Sequence, residues 1–235
     1  KKRKVYFHTD AVQAIGHVGI DVKSMNIDAL SMAAHKFYGP KGIGAMYLKK
    51  GIKIESLIHG GGQERGKRAS TENVPGIVGI GKAIELAMDD LENENKRLSY
   101  LRDKLIKGLM KEIPYTKLNG TEGDKRLPGN VNLSFIGVEG ETILLDLNDA
   151  GIYASTGSAC ASGSLDPSHV LLCLGLPHEV AHGSLRLTLG AGTTEEDVDY
   201  ALKVIPEIVA RRRAMSPLWE DFIKSKNKGE KVKQS

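Results

Sequence analysis

Cysteine is scarce in this chain. Its 235 residues include two, Cys160 and Cys173, and no C-x-x-C pair. That argues against a disulfide framework or a cysteine-rich zinc site and points to a reducing compartment. No apolar run reaches membrane length and no signal-peptide pattern is found, so no membrane partner is expected. The P-loop pattern G-x-x-x-x-G-K-[ST] is absent, and so is any internal repeat. Strong charge bias is also missing. Thirty-three Lys+Arg against 29 Asp+Glu leave a net charge of +4. Much of that excess sits in Lys224, Lys226, Lys228, Lys231 and Lys233, which read as a solvated, flexible basic tail. That is a weak footprint for nucleic acid, and none is expected as a partner.

What is present is glycine, 27 residues of it, in a chain long enough for two structural units. The pattern is α/β. Val5 to Thr9 reads as a short buried strand ending at Asp10, Ala29 to Ala34 as a second and Ile43 to Leu48 as a third. Asn73 caps a helix with Pro75 in its first turn. Apolar residues then recur at helical spacing from Ile77 to Leu109, as one long helix or two joined near Asn93 to Asn95. Beyond Pro114 come a strand at Val131 to Phe135, a helix at Glu141 to Asn148 and strand-like Ile152 to Ala154. Ser184 to Leu189 is a further strand. Thr193 and Glu196 form a capping box for a helix to about Arg212, with a kink at Pro206. Trp219 reads as an exposed aromatic before the tail.

The stretch Leu30 to Gly44 is where chemistry concentrates. His35 and Lys36 follow a buried strand and precede Gly39-Pro40. Loops after such strands carry function in α/β proteins. A low-dielectric strand end favours the neutral, nucleophilic form of an amine. Asp10 and Gln13 occupy the same kind of position after the first strand, although a carboxylate there also caps a turn. His59 to Asn73, with three successive glycines and two arginines, suits an oxyanion or phosphate and equally a mobile surface loop. Arg186, flanked by leucines, needs an anion, whether a ligand or a structural carboxylate. Cys160 lies in a run of Ser, Thr, Gly and Ala that cannot fill a core, which marks a mobile loop over residues 155–168 bearing a reactive thiol. Cys173, among leucines, reads as buried packing.

In order, H-T-D-A-V-Q, A-H-K-F-Y-G-P-K-G, G-G-G-Q-E-R-G-K-R, T-E-N, G-S-A-C and S-L-R-L-T-L-G resemble a cysteine desulfurase of the iron–sulfur cluster assembly type. The resemblance implies a pyridoxal-phosphate-dependent enzyme of aminotransferase fold type I. Residues 1–90 would belong to the large mixed-sheet cofactor domain. Residues 91–235 would form a smaller α/β domain with the cysteine loop and basic tail. By the same resemblance Lys36 would join the cofactor aldehyde and move the Cα proton, and Asp10 would pair with the ring nitrogen. Gln13 would bond the ring's phenolic oxygen, His35 would help hold the phosphate, and Thr71 would reach the phosphate of the other subunit of a homodimer. Arg186 would clamp the substrate carboxylate, and Cys160 would take sulfur from L-cysteine as a persulfide, leaving L-alanine. The persulfide would pass to an acceptor such as an iron–sulfur scaffold protein in the cytoplasm. No resident metal is implied, with Cys160 at most a transient cluster ligand. A selenocysteine lyase or a non-catalytic acceptor-docking subunit are the alternative readings.

Three departures from the family pattern stand out. Ala33 replaces a phosphate-binding serine, and Ser70 replaces a glycine before Thr71. The amino-terminal half of the family, with its ring-stacking histidine and main phosphate turn, has no counterpart here. A companion amino-terminal segment is therefore expected.

Overall fold

The computed structural model describes residues 5–156 and 167–233, with side chains described as far as Asn227. The chain divides into two compact units, Lys1–Glu94 and Asn95–Ser235.

The first unit is built on a mixed sheet of order β1-β2-β3. β1 (His8–Asp10) runs parallel to β2 (Ala29–Ala33), and β2 runs antiparallel to β3 (Gly44–Leu48). The first strand is shorter than expected, and Val5, Tyr6 and Phe7 are exposed rather than buried. The cause is register: β2 starts at Ala29, opposite His8, so the ladder does not extend over Val5 to Phe7, although the Phe7 carbonyl accepts the Asp28 and Ala29 N–H groups at 2.9 and 3.1 Å. β2 passes into a single 3-10 turn, Ala34–Phe37. A helix α2 (Val74–Asp89) follows a left-handed turn α1 (Gln63–Gly66). Asn73 caps α2 by accepting the Gly76 N–H at 3.2 Å. Leu30, Ala34 and Phe37 meet Ala11, Ile15 and Ile80 in this unit's core.

The long helical stretch is two helices. α3 (Leu91–Glu112) begins after a break at Asp90, whose φ of −123° is not helical, so the junction precedes Asn93 to Asn95. In the second unit β4 (Thr116–Leu118), β5 (Asn130–Phe135) and β6 (Ser184–Thr188) form an antiparallel sheet of that order. The helices are α4 (Gly140–Asp149), α5 (His169–Cys173), α6 (His178–His182), α7 (Glu195–Ala214) and α8 (Pro217–Lys233). One core unites Leu98, Leu105 and Leu109 of α3, Val131, Leu133 and Phe135 of β5, and Ile205 and Val209 of α7. Burying such side chains contributes about 1.5–3 kcal/mol apiece.

Several local expectations change here. Residues 152–154 form no strand, because only Ser155 pairs with β6, in an isolated bridge to Arg186. The capping box lies one residue later, at Thr194 and Asp197, because Thr193 Oγ1 is taken by the Gly190 N–H at 3.0 Å. α7 continues through Pro206. The basic tail is helical as α8. Trp219 is packed rather than exposed: Phe222 stacks on it, Tyr115 meets it edge-on and the Arg213 guanidinium lies 4.1 Å above its ring. Arg213 is buried, donates to the carbonyls of Pro114 and Ile136 at 2.7 and 3.0 Å, and has its pKa drawn down by burial to about 10. Cys173 is exposed and free, contrary to its leucine-rich context. In the five-residue α5, Leu171 faces inward and Cys173, two positions on, cannot share that face.

Candidate active site

β1 and β2 are parallel neighbours, so their carboxy-terminal ends leave the sheet at the same edge. Asp10 is the last residue of β1 and pairs in register with Ser31. Gln13 follows in the turn after β1, and His35 and Lys36 follow β2 in the 3-10 turn. All four side chains are exposed among the described residues. Asp10 Oδ1 accepts the Val12 N–H at 3.0 Å, which shapes the turn. Thr71, also exposed, precedes the α2 cap in the same unit.

The turn carrying Lys36 is held by close packing on both flanks. Phe37, 2% exposed, lies where a Cβ on Gly16 would come within 2.8 Å of it. A Cβ on Gly39 would stand 2.8 Å from the Ala34 Cβ and 3.2 Å from that of Ala83 in α2. A Cβ on Gly79 in α2 would stand 2.6 Å from Pro40. The glycines therefore let α2 grip the Gly39-Pro40 bend, while Tyr38 takes the left-handed φ of 65° that reverses the chain after Lys36. Sequence reading found Gly39-Pro40 but not its partner Gly79, whose role depends on a contact far along the chain.

Two further features escaped sequence reading. His8 Nε2 lies 2.8 Å from Ser31 Oγ. Asp28, 2% exposed, accepts the Phe7 N–H at 3.0 Å and meets Lys49 Nζ at 3.6 Å. The signal for the first was in the alternation, since His8 is two positions from Asp10 and so on its face of the strand.

The chain matches the aminotransferase class-V family over residues 1–201. It belongs to that family. Among class-V relatives, cysteine desulfurase IscS of Clostridium botulinum (strain Hall) is 70% identical over 227 residues, covering 96% of this chain and 57% of the relative. IscS of Methanosarcina thermophila is 62% identical over 218 residues, covering 93% of this chain and 54% of the relative. A solved NifS-like protein has a TM-score of 0.79 at 40% identity, covering 89% of this chain and 54% of that one. The chain thus spans little more than half the length of the relatives it matches.

The remaining candidate residues of this class-V chain belong to the second unit. Arg186 is half-buried at the centre of β6, opposite Asn132 of β5. Its backbone N–H and C=O both bond Ser155, at 2.6 and 3.0 Å, so the stem at residue 155 is stitched to β6 beside it. Cys160, and residues 157–166 of the predicted loop, lie outside the described residues.

Proposed function

We propose that this chain is part of a pyridoxal-phosphate-dependent cysteine desulfurase that converts L-cysteine to L-alanine. The observation that carries the reading is the placement of Asp10 and Lys36 after two neighbouring parallel strands, in a chain 70% identical to a cysteine desulfurase. The first unit would be the carboxy-terminal part of the large cofactor domain, and the second the small domain.

The donor set fits the cofactor chemically. It offers an amine for an aldehyde, a carboxylate for a ring N–H, an amide for a phenolic oxygen, and an imidazole and a hydroxyl for a phosphate. In this reading those are Lys36, Asp10, Gln13, His35 and Thr71, with Thr71 acting across a homodimer. When bound, pyridoxal 5'-phosphate supplies an electron sink for carbanion chemistry at the substrate's Cα and Cβ. Lys36 Nζ moves the Cα proton. Arg186 holds the substrate carboxylate through charge-assisted hydrogen bonds. The Cys160 thiolate attacks the substrate sulfur, so the Cβ–S bond breaks as the S–S bond forms. The carbon fragment keeps the electrons and takes up protons to become alanine, and no external oxidant is needed. The persulfide on Cys160 passes to an acceptor protein, such as an iron–sulfur scaffold in the cytoplasm.

Borohydride reduction of the cofactor-loaded enzyme tests the reading. Pyridoxyl mass is expected on the peptide containing Lys36. Label on Lys41, or no label in material shown to contain cofactor, would overturn it.

A further inference from the structure

Asp10 ends a strand of three residues at the edge of its sheet, with β2 as its ladder partner among the described residues. So short a ladder specifies register weakly, and a slip of one residue would turn Asp10 to the opposite face. Side-chain contacts reinforce it. His8 stands opposite Ala29, and Asp10 stands opposite Ser31. The His8 Nε2 to Ser31 Oγ contact of 2.8 Å is therefore a diagonal brace spanning the whole of β1. By alternation His8, Asp10 and Ser31 share one face, so a one-residue slip would carry His8 away from Ser31. Behind the brace, Asp28 fixes the strand's entry through the Phe7 N–H, and the Ala11 N–H bonds the Ser31 carbonyl at 2.9 Å on its exit.

We infer that His8 and Ser31 are positioning residues for Asp10. Their bond locks the register of β1 and so presents the Asp10 carboxylate at the sheet edge. The inference rests on the proposed role of Asp10 as partner of the cofactor ring. It also bears on Ala33, which follows Ser31 on the same face of β2: the nearest strand hydroxyl is already engaged by His8.

The test is a double-mutant cycle in the assembled enzyme, reading the equilibrium dissociation constant for pyridoxal phosphate. A second readout, in cofactor-free protein, is amide hydrogen exchange at Ala11. Ser31→Ala and His8→Ala are each expected to weaken cofactor binding about tenfold, with the double variant no worse than either single one. Ser31→Thr, which keeps the hydroxyl, is expected to bind within about twofold of wild type, and Ala11 exchange is expected to quicken about tenfold in Ser31→Ala. If Asp10→Asn weakens binding but both single variants bind as wild type does, or if their effects add, the positioning role is wrong and the role of Asp10 stands. If Asp10→Asn itself binds cofactor like wild type, both fail.

Discussion

Ser70 holds its backbone at φ 111°, a region that favours glycine. Ser70→Gly is expected to stabilise the chain by about 1 kcal/mol, read as a higher midpoint in urea with an unchanged slope. An unchanged or lower midpoint would show that the loop is relaxed with serine in place. Ala33 makes the complementary case. Restoring a hydroxyl with Ala33→Ser is expected to tighten pyridoxal phosphate binding about tenfold, by one hydrogen bond to a charged group. Equal affinity would remove residue 33 from the phosphate site. Both positions were legible in the sequence, because a substitution inside a motif is visible without coordinates. Cys173 was not: its leucine neighbours indicated a core, but the short α5 turns it outward. Exposure alone does not give it the sulfur. Cys160→Ser is expected to abolish persulfide formation with cofactor retained, and Cys173→Ser to leave turnover largely intact. Equal loss in both would erase the distinction.

At the scale of elements, apolar periodicity located β2, β5, β6 and the α2–α3 stretch but not β4 or the helical tail α8, and element ends followed from hydrogen bonds that periodicity does not encode. The α7 cap illustrates this. Thr193 and Thr194 are both cap residues by type, and the choice was made by Gly190, which engages Thr193. Thr194 Oγ1 then accepts the Asp197 N–H at 3.2 Å, and Asp197 Oδ2 accepts the Thr194 N–H at 2.9 Å. α7 is also tied to α4 through Asp146, which accepts from Arg212 Nε at 2.7 Å and Arg211 at 3.0 Å. Arg212 is the main cause that holds the Asp146 carboxyl below its ordinary value near 3.8, with Arg211 assisting. A carboxylate with a depressed folded pKa stabilises the fold above its unfolded value. That contribution is lost as pH falls through the folded value. Stability is therefore expected to drop below about pH 3.8 in part through this group. Asp146→Asn should flatten that part of the acid limb in a urea-midpoint-against-pH series. An identical limb in the variant would assign the acid loss elsewhere.

For the whole molecule, the α/β class, the mixed sheet and the strand-end position of Lys36 were readable from the order of motifs. The brace behind Asp10 and the grip of α2 on Gly39-Pro40 were not, since both join residues distant along the chain. The first sheet places Asp10 and Lys36 after neighbouring parallel strands, both side chains exposed. The most direct measurement is to incubate the cofactor-loaded enzyme containing this chain with L-cysteine and to map added sulfur by peptide mass. Alanine and one added sulfur on the Cys160 peptide are the expected result. No alanine, or added sulfur on Cys173 instead, would contradict the proposed assignment.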